Sequence, residues 1–267
     1  MISFVLFLPM FFFQSLRFHI ILKKLGIETT FKNSILVHVS SLSMLITPGA
    51  AGSLLKSILI KKKTGNSISS TAPIVFFERW LELTTITIII GFFLFWYTSI
   101  ESILVFLIGI IIVSITFYIF KNSSGINYIN KLFIKTKILK KYTINQNDFV
   151  ETTKILATSK NIISLLFLSL FSKIFPISAV FLIFELFNTN LDIFQTSQIY
   201  FVGQIIGALT FIPGGIFVTE ASLLGLMLNS NIEFTVASII VILIRVLTFW
   251  FPLILGFVVL RTLLKHQ

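Results

Sequence analysis

Pro48-Gly49-Ala50-Ala51-Gly52 interrupts an apolar stretch that runs from residue 32 to residue 60. Ile212-Pro213-Gly214-Gly215 interrupts a second apolar stretch, at 194–229. Proline removes a backbone hydrogen-bond donor and glycine favours loop geometry, so neither stretch is expected to form one continuous helix. The halves on either side of each break are shorter than the roughly 20 residues that a helix needs to cross a bilayer. The sequence therefore predicts two re-entrant hairpins, whose broken backbone is buried in protein or faces a water-filled cavity.

Composition places the rest of the chain in a membrane. Of its 267 residues, 56% are hydrophobic and 12% are charged, and the mean hydropathy is +1.00. A soluble domain carries roughly 25% charged residues, and a soluble fold of this size cannot bury so much apolar side chain. A length of about 20 apolar residues per crossing helix gives spans at 2–22, 68–98, 101–120, 161–187 and 232–262. We predict a single all-α polytopic transmembrane bundle over residues 1–267, with two Pro-Gly-broken hairpins inside it.

Lysine and arginine divide the connecting loops into two sets. If each broken stretch enters and leaves on one side, the basic loops share one face and include the segment 121–160, which holds eight lysines. The loops 98–101, 188–192 and 229–233 share the other face and contain no lysine or arginine. Because positive loops stay in the cytoplasm, we predict a multi-pass protein of the cell membrane with 121–160 as a basic cytoplasmic loop. Within that loop, a solvated linker with a surface helix and an amphipathic helix attracted to anionic headgroups both remain open.

Few other kinds of chemistry fit this composition. The chain has no cysteine, and its three histidines (His19, His38 and His266) are scattered, so neither a disulfide nor a metal site is predicted. No phosphate-binding glycine loop and no nucleophile motif is present. The net charge of +11 lies beside membrane spans, which indicates a membrane surface and not nucleic acid as its partner. We therefore predict no catalytic residue, no metal and no cofactor.

The two breaks belong to an internal repeat. The residues PGAAGSLLKS at 48–57 align with PGGIFVTEAS at 213–222, and an arginine lies 31 or 32 residues past each proline. The charges of the half-helix and of the following span are Lys56 and Arg79 in the first copy, and Glu220 and Arg245 in the second. Three predicted spans separate the two hairpins, and an odd number inverts the second copy relative to the first. Inverted repeats with broken helices that meet near the bilayer midplane are typical of transporters.

Several ionisable residues lie inside predicted membrane segments, where each costs at least about 2.5 kcal/mol. They are Lys56, Glu78, Arg79, Glu82, Lys173, Glu220 and Arg245. One interpretation is mutual neutralisation, in which ion pairs hold helices together and Arg79 reaches Glu82 at i,i+3. The other is a polar cavity for a charged lipid headgroup, helped by the half-helix N-termini that follow each break and attract anions. In that case we expect symmetry to bring Lys56, Arg79, Glu220 and Arg245 to one central cavity.

Two blocks of sequence resemble one membrane-protein family. They are Arg17 … Leu25-Gly26 … Phe31 … Thr47-Pro48-Gly49-Ala50-Ala51-Gly52 … Lys56 … Ala72-Pro73 … Glu78-Arg79, and Ile212-Pro213-Gly214-Gly215-Ile216 … Thr219-Glu220-Ala221-Ser222 … Arg245 … Thr248-Phe249-Trp250. From residue 5 or so to residue 262, the chain resembles the flippase-like transmembrane region of lysylphosphatidylglycerol synthases. The resemblance implies a lipid-handling membrane domain. In bacterial relatives a similar domain flips aminoacylated phospholipid, and archaeal relatives can be joined to glycosyltransferases that act on dolichyl phosphate.

Three functions remain open from the sequence. The first is a flippase for an anionic phospholipid or a polyprenyl-phosphate-linked lipid, with membrane lipids as its partners. The second is a non-transporting scaffold that pairs with a membrane-bound or cytoplasmic lipid- or glycan-modifying enzyme. The third is a membrane-embedded transferase, whose acid/base candidates are Glu78, Glu82 and Glu220. The sequence shows no soluble transferase domain, so the resemblance implies neither lysyl nor sugar transfer. Relatives usually have one more span before the Arg17 region, so the chain is expected to be a shortened member or a fragment.

Overall fold

The structure is a computed structural model that describes residues 2–47, 55–121, 146–210 and 212–265. In these ranges it contains helices and no strand: α1 (Ile2–Lys24), α2 (Phe31–Ser41), α3 (Leu55–Thr64), α4 (Ile68–Phe93), α5 (Ile100–Lys121), α6 (Gln146–Leu156), α7 (Ser159–Leu186), α8 (Ile193–Leu209), α9 (Val218–Asn229), α10 (Phe234–Arg245) and α11 (Phe251–Lys265). Three short segments have another helical geometry. A 3₁₀ helix at Leu42–Ile46 follows α2, a second one at Pro213–Gly215 lies between α8 and α9, and a π-helical turn at Val246–Trp250 joins α10 to α11.

Within the described residues, four helical segments are long and apolar enough to cross a membrane. They are Ser3–Lys24, Ile100–Ile119, Ser159–Leu186 and Phe234–Lys265. These segments correspond to four of the predicted spans and confirm the all-α transmembrane bundle. The fifth predicted span, 68–98, corresponds to α4, which has 26 residues, ends at Phe93 and carries three charged side chains. Most of α4 is buried by its neighbours, whereas only 17% of the crossing segment of α5 is buried, so α4 is a core helix and α5 an outer one.

Helices α8 and α9 form an antiparallel pair on either side of the second break. A Cβ placed on Gly203 would contact the side chain of Leu223, and one placed on Gly207 would contact Thr219. The later residue of α8 contacts the earlier residue of α9, so the two helices run antiparallel, as in a hairpin. Small residues at a four-residue spacing permit this close approach between membrane helices.

The second break itself depends on two glycines. Gly214 and Gly215 both have φ of +62°, in the left-handed region that L side chains rarely adopt. Pro213 begins the 3₁₀ turn, where its missing N–H breaks no helical hydrogen bond. The predicted break is therefore present at the predicted residues. The first break, with Pro48, Gly49 and Gly52, lies outside the described residues.

Both ends of the second hairpin lie at one end of the bundle. Gln198, near the start of α8, donates to the carbonyl of Tyr97 at 2.7 Å. Asn229, at the end of α9, donates to Glu101 at 3.1 Å. Tyr97 lies in the connection from α4 to α5, and Glu101 lies in the first turn of α5. The second hairpin therefore starts and ends beside that connection.

The ends of the first hairpin lie at the opposite end of α4. Lys63, near the end of α3, donates to Asn33 in the first turn of α2 at 2.9 Å. Because α3 ends only a few residues before α4 begins, this contact marks the end of the bundle where α4 starts. The two hairpins therefore start from opposite ends of the bundle. Their position relative to the bilayer stays a prediction.

The long helical segment Phe234–Lys265, which contains α10, the π-helical turn and α11, packs against both broken stretches. A Cβ on Gly214 would contact the ring of Phe249, and a Cβ on Gly256 would contact the backbone of Leu42 and Ser43. The 3₁₀ helix at Leu42–Ile46 also contacts the one at Pro213–Gly215. The end of the first broken stretch that precedes its break, Leu42–Ile46, thus lies against the second break.

The predicted basic loop 121–160 is partly helical. Residues 122–145 lie outside the described residues, and 146–156 form α6, which packs on the first turns of α4. Phe149 is buried against Phe76, and Thr152 donates to the carbonyl of Ser70 at 3.1 Å. The surface helix expected within this segment therefore lies on the bundle, and its cytoplasmic position stays a prediction.

Candidate functional site

A cavity of about 220 Å³ lies at the centre of the bundle. Its charged lining residues are Arg17, Lys56, Glu78, Arg79, Glu82 and Lys173, and its polar ones are Gln14, His38, Ser41, Tyr200, Gln204 and Thr248. Five of the seven predicted site residues therefore share one cavity. They come from α3, α4 and α7, which are far apart in the sequence. In the described ranges, no group of three or more His, Asp or Glu side chains is placed to hold a metal ion.

Helix α4 supplies three of the charged side chains. Glu78 and Glu82 are one turn apart and face the same way, and Arg79 lies beside them. The predicted i,i+3 ion pair between Arg79 and Glu82 is not formed. Glu82 is instead bound by Arg17 of α1 at 3.0 Å and Lys173 of α7 at 3.7 Å. Neighbouring helices reach Glu82 from across the cavity, and the sequence of α4 alone does not contain that information.

Buried ion pairs connect the remaining cavity charges. Lys56 Nζ lies 2.7 Å from Glu78 Oε2, which ties the first half-helix to α4. Arg17 lies 3.8 Å from Glu78 Oε1 and donates to Ser169 Oγ at 2.7 Å. Because Arg17 is only 2% exposed, it lies in a protein environment between α1, α4 and α7. Arg17, Lys56 and Lys173 therefore all lie in ion pairs, although two carboxylates serve these three cations.

Arg79 differs from the other three cations of the cavity. Its side chain is exposed, and it forms no hydrogen bond or ion pair with any part of the chain that the structure describes. An uncompensated charge inside a membrane protein is costly and usually faces a water-filled cavity or a ligand. Arg79 is therefore the cavity cation that is available to bind an anion.

The Nε2 atom of His38 is a second polar group in the cavity wall without a partner. Lys56 Nζ lies 3.1 Å from His38 Nδ1, and because an ammonium group only donates, Nδ1 is the acceptor and Nε2 carries the proton. The Nε2 atom is buried and has no hydrogen-bond partner. A buried donor without an acceptor costs about 1–3 kcal/mol. The wall of the cavity thus contains an N–H group that an added acceptor would stabilise.

Glu220 and Arg245 lie outside the lining of this cavity, which corrects the expectation of a single site formed with Lys56 and Arg79. Arg245 Nε donates to Glu220 Oε1 at 2.6 Å, and Nη2 donates to the carbonyl of Gly214 at 2.9 Å. The guanidinium also lies over the ring of Phe249, 4.7 Å from its centroid. These contacts hold Arg245 against the second break, and this is the physical reason that it does not reach the cavity.

The two repeats contain the same kind of ion pair with the charges exchanged. In the first copy, Lys56 of the half-helix binds Glu78 of the following span at 2.7 Å. In the second copy, Glu220 of the half-helix binds Arg245 of the following span at 2.6 Å. The repeat in the sequence paired Arg79 with Arg245, whereas by contact the counterpart of Arg245 is Glu78. Arg79 therefore has no equivalent in the second copy.

Arg17 and His38 were missed as site residues by the sequence interpretation. Arg17 was used only as part of the family pattern, although it lies seven residues before the end of the 23-residue apolar helix α1. A charge at that depth is a signal that could have identified it, because such positions are costly unless the charge is compensated. For His38 no comparable signal exists, because its role depends on the position of Lys56.

The fold and the cavity together define a class of protein: a polytopic helical membrane protein with a Pro-Gly break at Pro213–Gly215 and a cavity lined by cations inside the bundle. The family model described as the lysylphosphatidylglycerol synthase TM region matches residues 1–256. The chain therefore belongs to that family, and the resemblance seen in the sequence is confirmed.

Two relatives are UPF0104 membrane proteins. UPF0104 membrane protein MJ1078 of Methanocaldococcus jannaschii is 26% identical over 227 residues, which cover 83% of this chain and 95% of the relative. UPF0104 membrane protein PH1989 of Pyrococcus horikoshii is 27% identical over 238 residues, which cover 79% of this chain and 70% of the relative. No solved structure matches the chain. These names state a membrane protein and no activity, so a function must be argued from the site.

Proposed function

We propose that the protein is a multi-pass protein of the cell membrane that binds the anionic headgroup of a lipid in the central cavity and carries the lipid across the bilayer. The lipid is a phospholipid or a polyprenyl-phosphate-linked lipid. Arg79 carries this proposal, because it is an exposed cation of the cavity that no described residue neutralises. A phosphate supplies the missing negative charge, and a guanidinium can bind two of its oxygens at once.

The arrangement of the hairpins supports transport in addition to binding. The two broken stretches start from opposite ends of the bundle, and Leu42–Ile46 of the first contacts Pro213–Gly215 of the second. The first of these segments reaches the cavity, since Leu42 and Leu45 line it. Discontinuous helices that meet at a central site are the architecture of many secondary transporters, in which one repeat moves against the other.

An enzymatic role has less support from the site. Each carboxylate that was considered as an acid or base, Glu78, Glu82 and Glu220, lies in an ion pair. A general acid or base must be able to reach the reacting group and exchange a proton with it. We therefore propose a transporter without catalytic residues, cofactor, metal or nucleic-acid partner.

A non-transporting scaffold is the second candidate, in partnership with a membrane-bound or cytoplasmic lipid- or glycan-modifying enzyme. It is favoured by the ion pairs of Arg17, Lys56 and Lys173, since ion-paired charges are what a purely structural polar core requires. The two candidates differ at Arg79. A scaffold does not need an unpaired cation in a cavity, whereas a lipid transporter needs one to bind an anionic headgroup.

Lipid movement in reconstituted vesicles tests the proposal. The purified protein is placed in liposomes with a fluorescent phosphatidylglycerol or, separately, a fluorescent polyprenyl phosphate, and an impermeant quencher reports the outward-facing lipid. Arg79→Gln should slow movement of the transported lipid about tenfold or more, because a charge-assisted hydrogen bond contributes roughly 1.5–3 kcal/mol. Arg261→Gln, at an exposed position outside the cavity, is the matched control and should match the unaltered protein. Equal movement in both variants would contradict the role of Arg79, and the absence of protein-dependent lipid movement would favour the scaffold.

A further inference from the structure

We infer that the cavity selects a phosphate monoester, which carries two negative charges, over a phosphodiester, which carries one. This selectivity rests on the proposed lipid-binding function of the same cavity and names the headgroup chemistry that it recognises. A phosphate monoester at the end of a lipid has three terminal oxygens, all of which can accept hydrogen bonds. A phosphodiester has two such oxygens and a second substituent that must also be accommodated.

The charges that line the cavity do not balance. Four cations face two carboxylates: Arg17, Lys56, Arg79 and Lys173 against Glu78 and Glu82. Each lysine lies within 4 Å of a carboxylate, and each of the two carboxylates can match the formal charge of one cation. Two positive charges therefore remain unmatched. The second cluster does not change this balance, because Glu220 and Arg245 neutralise each other.

The surplus charge lies on the more open side of the cavity. Lys56 and Glu78 form a close pair whose side chains are 9% and 5% exposed, and Arg17 lies 3.8 Å from the other oxygen of Glu78. Glu82, by contrast, is shared by Arg17 and Lys173, and its side chain is 26% exposed. Arg79 follows Glu78 on α4, is exposed and has no partner in the described chain. An incoming anion therefore meets the surplus charge first.

Unpartnered donors in the wall match the oxygens of a monoester. The guanidinium of Arg79 offers a bidentate contact. His38 Nε2 and Arg17 Nε are buried donors without a hydrogen-bond partner. The cavity has a volume of about 220 Å³. One liquid water occupies roughly 30 Å³, so the cavity is several times larger than a water molecule and a phosphate group fits. A dianion neutralises the surplus completely, whereas a monoanion leaves one positive charge uncompensated.

Binding of short-chain lipids to the purified protein tests the selectivity. Dioctanoyl phosphatidic acid, phosphatidylglycerol and phosphatidylcholine share their acyl chains and differ in headgroup charge, and titration calorimetry in detergent gives the three affinities. We expect phosphatidic acid to bind about tenfold or more tightly than phosphatidylglycerol, which is the effect of one charged hydrogen bond. Phosphatidylcholine should bind weakest. Glycerol 3-phosphate, the same headgroup without acyl chains, should bind much more weakly than phosphatidic acid.

Variants at Arg79 locate the selectivity. Arg79→Gln should remove most of the preference for phosphatidic acid without lowering the unfolding temperature, because Arg79 has no described partner to orphan. Arg79→Lys, which keeps the charge and loses the bidentate geometry, should give an intermediate preference. Arg261→Gln again provides the control for a general loss of positive charge.

Each contrary result points to a different error. Equal affinities for phosphatidic acid and phosphatidylglycerol, or a preference that survives in Arg79→Gln, would overturn the selectivity and leave the lipid-transport proposal intact if vesicle transport still depends on Arg79. Glycerol 3-phosphate binding as tightly as phosphatidic acid would show a site for a soluble phosphate, and the lipid function would fail with it. Absence of binding by every probe would overturn the selectivity.

Discussion

Arg17 is the residue on which the polar centre of the protein depends most. It is 2% exposed, binds Glu82 at 3.0 Å, lies 3.8 Å from Glu78 and donates to Ser169 at 2.7 Å. It thereby connects α1 to α4 and α7 with a single side chain. Arg79 is one residue from Glu78 and three residues from Glu82 along α4, but it makes none of these contacts with the described chain. The two arginines therefore have opposite roles in stability and in binding.

We predict that Arg17→Met lowers the free energy of unfolding by roughly 1.5–3 kcal/mol, since it removes the charged hydrogen bond to Glu82 and leaves that carboxylate with Lys173, 3.7 Å away, as its ion-pair partner. Thermal unfolding in detergent measures the change. Arg79→Met is the matched control and should shift the unfolding temperature little. The double variant Arg17→Met/Glu82→Gln should lose less than the sum of the two single variants, because both remove the same Arg17–Glu82 contact. Equal unfolding temperatures for Arg17→Met and Arg79→Met would contradict this division of roles.

Sequence reasoning selected most of the charged residues that line the cavity and failed at their pairing. It selected Lys56, Glu78, Arg79, Glu82 and Lys173 because charges in apolar segments are costly, and all five line the cavity. It paired Arg79 with Glu82 because only contacts within a helix can be read from spacing. The actual partners come from α1 and α7, and their approach depends on the rotation and crossing of those helices, which no local pattern encodes.

At the scale of elements, the second hairpin combines a break with a close helix crossing. The break at Gly214 and Gly215 was predicted, because a proline followed by glycines has a direct effect on the backbone. The crossing at Gly203 and Gly207 was not predicted, although the four-residue spacing of glycines in an apolar helix is a recognised packing signal. The break decides that the helix turns back, and the crossing decides how closely its two halves pack.

We predict that Gly207→Ala destabilises the protein by about 1–3 kcal/mol, the usual cost of adding a methyl group to a packed contact. The added Cβ would meet the Thr219 side chain across the hairpin. Gly225→Ala in α9 is the matched control, because its Cβ would meet nothing within 4 Å. Since alanine is favoured over glycine in helices by about 1 kcal/mol, the control should be neutral or slightly stabilising. Unfolding temperatures that fall equally in both variants would mean that the crossing has no special role.

For the whole molecule, the distribution of charge agrees with the arrangement of the ends. The loops without lysine or arginine, around 98–101 and 229–233, contact each other through Glu101 and Asn229. The lysine-rich end of α3 lies at the start of α4, at the other end of the bundle. This grouping could be predicted because it follows from a count of lysines and arginines along the chain. The packing of Leu42 and Ser43 on α11 could not be predicted, since Gly256 carries no sequence signal for this contact.

The position of both hairpins relative to the membrane is testable in the cysteine-free chain with four single-cysteine variants. Asn190 and Asn231 flank the second hairpin, Glu28 and Lys62 flank the first, and all four are exposed. Helix α8 has 17 residues and is thus about 25 Å long, which is shorter than a bilayer core of about 30 Å. We therefore predict that the chain returns to the face from which each hairpin started.

An impermeant thiol reagent applied to intact cells should label cysteine at both Asn190 and Asn231. It should label cysteine at Glu28 and Lys62 only after the membrane is permeabilised, because lysine-rich loops stay in the cytoplasm. The pairs make the two parts of the prediction separable. Labelling of one member of a pair and protection of the other would mean that the hairpin between them crosses the membrane. Labelling of Glu28 and Lys62 with protection of Asn190 and Asn231 would preserve both hairpins and invert the orientation of the protein.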